Sequence, residues 1–418
     1  MTSHPKGIGR RGLIKRGGLA AVGGLVAPGA GGVVAGSVAA GADPAAALSG
    51  RVPPETQPGG AYDRYVARLA AAGKFSGVVL LSHRGRTVLS RSYGMADQAR
   101  GIRNHEGTAF NLSSAGKPFL PVAVLQLAQA GRLRLSEMIG TYLSGYPSDI
   151  ADHVTVHHLL SGTSRLATQP EDADRIFHSR EEVREYYTRR ARDVRLVGVP
   201  GTLDTEHAEA EITIPVRIVE ELSGMTYWDY VQRNIFDRCG MTGSGFFTRP
   251  QWRVDRHLAH PYMTLADGRV ADALQDLTQG SPLGHVAGKN PGRAFIDAPG
   301  DGGFATAPDL VRFANALRDG TLLAQPWADV LTAPKIPLGQ ASFGAYGVAV
   351  EIVGGQWQYQ RAGGNPGIGA NWSVYPDTGW VGVILLNRDT EDVSLQSLIA
   401  QETKAITGVA PEEEGPGG

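Results

Sequence analysis

The chain of 418 residues holds a single cysteine, no long apolar run and almost no net charge, and each shortage closes off a class of function. Cys239 alone can build neither an intramolecular disulfide nor a cysteine metal site. Histidines cluster in "DHVTVHHLL", where His153 and His157 have helical ligand spacing. No HExxH glutamate follows and no third ligand stands nearby, so no metal is expected. Forty Lys and Arg against forty-one Asp and Glu leave no charge excess for nucleic acid or an anionic membrane. The weakly apolar stretch near the N-terminus is interrupted by Pro28 and many glycines, which makes it a poor membrane-spanning helix. No cofactor is expected either. What is present is an ordinary globular composition, 42% hydrophobic, enough to bury the core of one large or two intimate domains.

The first fifty residues differ from the rest. Arg10 and Arg11 precede Leu13, Ile14 and Lys15, then a Gly/Ala-rich run with small-residue cleavage sites after Ala42 or Ala47. The order fits a twin-arginine export signal and linker over residues 1–47, and predicts a secreted or cell-envelope protein that folds before export. A basic tail or a nucleic-acid patch is the alternative.

From Ala61 the pattern is globular. A helix in "YDRYVARLAAAG" leads into "FSGVVLLSHRGRTVLSRSYG", two strands around a turn at Arg84-Gly85. "PVAVLQLAQAGRLRL" carries Val122, Leu125, Ala128 and Gln129 at helical period to a glycine stop at Gly131. Helical character continues in "REEVREYYTRRARD" and "IPVRIVEELSG", with Pro215 placed near a helix start. Strands return in "YGVAVEIVGG", "QWQYQRAGG", "NWSVYPDTG" and "WVGVILLNRD", before a helix in "LQSLIAQETKAI" and an acidic tail, 406–418, read as disordered. The fold class is therefore α/β in the α+β sense. An antiparallel sheet from about 61–110 and 255–405 is flanked by helices, with an all-helical subdomain over about 120–250.

The stretch "FNLSSAGKPF" holds Ser114 and, three residues on, Lys117. The Ser-x-x-Lys pattern alone is weak, since Ser3 and Lys6 match it too. Ser114, however, follows strand-like "AFNL" and opens an amphipathic run, so it is placed at the start of a buried helix, where Lys117 shares its face. A helix N-terminus favours negative charge developing there. Ser113 or Ser114 as a simple N-cap fits the local sequence equally well.

The segments "FSGVVLLSHRGRTVLSRSYGMAD", "FNLSSAGKPF", "VTVHHLLSGTS", "VPGTLDTEHAEAEI", "FDRCGMTGSGF", "GGFATAPDLVRFANAL" and "GNPGIGANWSVYPDTGWVGVILLN" occur in the order and spacing of known landmarks. They resemble the serine β-lactamase and DD-peptidase superfamily, in its class C β-lactamase and esterase branch, over residues 62–405. The resemblance implies a β-lactamase/transpeptidase-like domain with its site between sheet and helical subdomain. It also implies that Ser114 attacks the carbonyl of a small-molecule or peptide ester or amide to form an acyl-enzyme, with Lys117 handling the proton. The backbone N–H groups of Ser114 and Gly364 would bind the oxyanion.

Two family signatures are missing. No Tyr-x-Asn occurs; counting from "PGT" puts Glu206 at the tyrosine place and Ala208 at the asparagine place, while counting back from "VEELSG" puts His207 at the tyrosine place. Arg361-Ala362-Gly363 stands where Lys-Thr-Gly or His-x-Gly is usual. Arginine keeps the charge and offers a planar fork for a carboxylate, but cannot donate a catalytic proton. Gly162 replaces a family histidine and Arg165 a family glycine. A carboxylate at Glu206 is expected to raise the pKa of Lys117 and send the Ser114 proton to Glu206 or His207, the imidazole being better poised at neutral pH. Tyr186 or Tyr187 is a further candidate base. The pattern favours an esterase or a specialised acyltransferase or cyclase over a true β-lactamase. The alternative is a non-catalytic, penicillin-binding-protein-like binder of a peptide or carboxylate ligand.

Overall fold

The strand–turn–strand pattern of residues 75–94 folds as read in the computed structural model, which describes residues 52–203, 208–283, 287–389 and 393–409. β1 (Gly77–His83) and β2 (Arg86–Tyr93) pair antiparallel across Arg84 and Gly85. Both turn residues have positive φ, 51° and 78°, as a tight hairpin matched to strand twist requires. Every residue of β1 is buried, because it is not an edge strand.

Its second partner comes from the far end of the chain. β3 (Ile336–Pro337), β4 (Ser342–Gly344), β5 (Ala349–Val353), β6 (Gln356–Asn365), β7 (Ile368–Tyr375) and β8 (Trp380–Leu386) complete an eight-stranded sheet of order β3-β4-β5-β6-β7-β8-β1-β2. All its neighbours are antiparallel, and Leu81 of β1 faces Gly382 of β8. The two-residue period sorts the side chains between two cores. Ala370, Trp372 and Val374 of β7 enter the larger core with α2 (Phe119–Gln129). Tyr375 turns to the other face, against α1 (Ala61–Ala71) and the C-terminal helix Leu395–Thr407.

The middle of the chain supplies α3 (Val156–Ser161), α4 (Arg180–Arg192) and α5 (Ala210–Ser223). It also carries a short ladder that periodicity did not announce, Leu166–Thr168 against Val194–Leu196. Pro215 lies inside α5 and not at its start. A proline interior to a helix costs about 3 kcal/mol. Burial of Ile214, Val216, Ile218 and Val219 on that helix offsets it. After α6 (Ala307–Ala316) and the C-terminal strands, Leu395–Thr407 forms α7. Phe119 of α2 meets Phe236 and Phe313 edge-on at 5.0 and 4.9 Å, which pins the start of α2 in the core. Among the described residues no helix is long and apolar enough to cross a membrane. The export segment, Glu206, His207 and residues 410–418 lie outside the described residues, while Ile406 and Thr407, read as the start of a disordered tail from 406, instead close the C-terminal helix, buried against the sheet.

Candidate active site

β5 pairs with β6 only as far as Ala349 and Gln360, so the last five residues of β6, Arg361–Asn365, extend past it. Against this stretch packs a 3₁₀ turn, Ser113–Gly116. A Cβ on Gly363 would lie 2.3 Å from the Ala115 nitrogen and 2.6 Å from that of Ser114, so only glycine admits the contact. On the other side, a Cβ on Gly116 would lie 1.8 Å from the carbonyl oxygen of Gly302. The buried indole of Trp372 donates to the Ala115 carbonyl at 2.9 Å. The turn is thus held between two backbones and an aromatic anchor.

The sequence placed Ser114 on the first turn of an α-helix; it sits instead in the 3₁₀ turn that precedes α2. With three residues per turn, positions i and i+3 eclipse, which brings Lys117 directly over Ser114. The Lys117 ammonium nitrogen donates to Ser114 Oγ at 2.7 Å. The neighbouring serine is committed elsewhere. Ser113 has φ 47°, a left-handed conformation that costs a non-glycine residue about 1–3 kcal/mol. Its N–H donates to Asn111 Oδ1 at 2.9 Å, its carbonyl accepts from Gly302 N–H at 3.1 Å, and its hydroxyl donates to the Gly364 carbonyl at 3.1 Å. Of the two serines, Ser114 carries the lysine.

Burial pushes the Lys117 ammonium below the usual lysine range. Asp301, whose Oδ2 lies 3.8 Å from Nζ, opposes this, while the positive charges of Arg361 and Lys289 add to it. Glu206, from which an elevation was expected, lies outside the described residues; among these Lys117 is thus depressed and the carboxylate facing it is Asp301. Sequence reasoning passed over this residue, although "PGDGG" directly adjoins the landmark "GGFATAPDLVRFANAL". Asp297, four residues earlier on the same loop, is held under the turn. Its carboxylate oxygens accept from Asn111 Nδ2 at 3.0 and 2.9 Å, and one accepts from Gly303 N–H at 2.8 Å. Burial, against these hydrogen bonds, pushes its carboxyl up to about 7.

Arg361 is half-buried, and its Nε donates to the Ser114 carbonyl at 3.0 Å. One N–H of the fork expected for a ligand carboxylate is thus spent on the turn; the Nη groups bond to no described residue. Ala208 precedes α5 and is half-buried, so a methyl stands where the family asparagine is expected. Gly162 closes α3 at φ 73°, and Arg165 adopts φ 57° while its Nη1 donates to the Leu203 carbonyl at 3.0 Å. Both candidate phenols have partners of their own. Tyr187 donates to Glu171 at 2.7 Å and burial holds its pKa well above the usual phenol range, while Tyr186 accepts from the Asp172 N–H at 3.3 Å. His157 Nδ1 lies 2.6 Å from Tyr346 Oη, and no cluster suited to a metal occurs among the described residues.

A serine–lysine pair on a turn packed between an antiparallel sheet and a helical layer defines a class of penicillin-recognising and ester-cleaving folds. The Beta-lactamase family model matches residues 62–405, and the chain belongs to that family. It is 26% identical to the putative penicillin-binding protein PbpX of Bacillus subtilis (strain 168) over 296 residues, 70% of this chain and 66% of that protein. The chain thus matches less than two thirds of the length of the curated relatives. Its fold is shared with the penicillin-binding protein of Bacillus halodurans, TM-score 0.68 at 24% identity, covering 80% of this chain and 97% of that one. It is shared also with EstCE1, a hydrolase with promiscuous acyltransferase activity, TM-score 0.66 at 21% identity, covering 83% and 97%.

Proposed function

We propose that the protein is a serine hydrolase or acyl-transfer enzyme that takes the acyl group of an ester or amide onto Ser114. The observation that carries this reading is the 2.7 Å bond between Lys117 Nζ and Ser114 Oγ, made by a lysine whose ammonium form is disfavoured. In its amine form Lys117 accepts the hydroxyl proton as Oγ attacks the carbonyl carbon. The N–H groups of Ser114 and Gly364 receive the oxyanion. Collapse breaks the bond to the leaving group, which leaves with the proton held by Lys117, and water or another nucleophile then releases the acyl group.

Ala208 offers no amide to hold a substrate amide, which favours esters, or acyl transfer and cyclisation, over β-lactam or peptidoglycan turnover. The Nη groups of Arg361 provide for a substrate carboxylate. The promiscuous acyltransferase activity of the hydrolase EstCE1, which shares the fold, supports an acceptor other than water. The same proposal puts the protein outside the cytoplasmic membrane, on the strength of Arg10 and Arg11; retention of an R10K/R11K variant inside the cell tests it.

The catalytic test is labelling by a fluorophosphonate probe followed by intact mass. Ser114→Ala abolishes the adduct, and Lys117→Ala slows labelling by roughly 10²–10⁴. Glu206→Ala and His207→Ala leave the rate unchanged if Lys117 is the base. Wild-type labelling in Lys117→Ala, with loss in either of the other two, transfers the proton to that residue. No adduct at all favours the rival reading, a binder related to penicillin-binding proteins.

A further inference from the structure

Asn365 and Ser113 form a two-bond relay that the acylation step does not use. Asn365 Nδ2 donates to Ser113 Oγ at 2.9 Å, and Ser113 Oγ donates onward to the Gly364 carbonyl at 3.1 Å. The relay begins at a fixed point. Pro366 and Gly367 join β6 to β7, with Gly367 at φ 70°, a left-handed conformation that glycine adopts at no steric cost. The Gly367 N–H is tied down by Asp389 Oδ1 at 2.7 Å.

The relay ends on the residue assigned to the oxyanion. Gly363 has to be glycine because the Ser114 turn touches its backbone, and Gly364 follows it directly. Two successive glycines leave a strand its widest choice of φ and ψ, and β5 lends no ladder bonds beyond Gln360. A hydrogen bond to the Gly364 carbonyl restricts ψ at that residue. The atom that makes it belongs to Ser113, whose own left-handed backbone delivers the Ser114 N–H one residue later. One hydroxyl therefore ties the two oxyanion donors together.

We infer that Ser113 and Asn365 are positioning residues that fix the separation and aim of the Ser114 and Gly364 N–H groups, an inference that rests on the acyl-Ser114 reading. Asn365 orients the hydroxyl by donating to it. A carboxylate of the same shape only accepts, so in Asn365→Asp the single Ser113 proton turns toward residue 365 and leaves the Gly364 carbonyl.

The test uses the full chain with a p-nitrophenyl ester as substrate and a phenylboronic acid as tetrahedral probe. In Asn365→Asp and Ser113→Ala, kcat falls on the order of tenfold, KM is unchanged, and boronate affinity falls by the same factor. Ser113→Gly loses the same factor although it relieves the positive φ. A purely architectural role moves the melting temperature without this parallel loss. Wild-type kcat and boronate affinity in Asn365→Asp and Ser113→Ala overturn the relay alone, as does full activity in Ser113→Gly. Absence of any covalent adduct in the wild-type protein overturns the acyl-enzyme reading and the relay's role with it.

Discussion

Replacing Asp301 by Asn removes the carboxylate that faces Lys117 and keeps a side chain of nearly the same shape. The charged atoms are 3.8 Å apart, and the two side chains are 24% and 35% exposed, so the attraction is taken at the dielectric of water. At that distance it amounts to about 1 kcal/mol. This energy favours the ammonium over the amine. Its loss raises the amine fraction about sixfold wherever the lysine is mostly protonated. Acylation of Ser114 on the acid side of the pH–rate profile should therefore speed up about sixfold, while the alkaline plateau, where the lysine is already neutral, stays in place. The measurement is kcat/KM for a p-nitrophenyl ester, or the fluorophosphonate labelling rate, from pH 5 to 10. A fall in rate at every pH refutes the reasoning, because the carboxylate itself would then take the proton or hold the substrate. An acid limb that does not move refutes it too.

The remaining predictions concern other groups. Arg361→Ala removes a positive charge that helps keep Lys117 neutral, so the acid limb moves to higher pH, opposite to Asp301→Asn; movement in the same direction contradicts the charge balance. Gly363→Ala forces a Cβ to within 2.6 Å of the Ser114 nitrogen, and should lower kcat/KM by about 10²-fold or more with the circular dichroism spectrum retained; near-normal kinetics would falsify the close packing. Burial pushes Glu402 up to about 7 from 4.5, a shift that Ser373 only partly opposes. Between those values the unfolded chain has released its proton and the folded one keeps it, so stability falls by about 3 kcal/mol as pH rises through the window. Glu402→Gln removes that fall. Urea unfolding of both proteins at pH 5 and 8 checks it, and identical pH slopes count against it.

The sheet was legible because each of its long strands is bounded by turn residues that act locally. Arg84-Gly85 and Pro366-Gly367 each mark a hairpin by their own residue types. Ser114 and Lys117 were legible through the family landmarks around them, since the Ser-x-x-Lys spacing alone also matches Ser3 and Lys6. The charge around them was not. Asp301 reaches Lys117 only because Gly302, at φ 65°, brings its carbonyl against side-chain-free Gly116, and no local pattern encodes the meeting of two such turns. Pro215 misled for a different reason: a proline inside a helix looks like its start unless the packing that outweighs it is known. The Asn365–Ser113 relay escaped notice because serine beside a nucleophile reads as a cap.

The sheet order makes the surroundings of Ser114 depend on segments synthesised long after it. β1 gains its second neighbour only when β8 has been made, and Arg361, Gly363 and Gly364 arrive on β6 just before it. A nascent chain that ends before Asp301 already contains Ser114 and Lys117, yet lacks the glycines that clamp their turn and the strand that faces it. Closure between such distant segments is slow. It also works as a timer, since a half-made chain holds Ser114 and Lys117 without the strand that completes their surroundings.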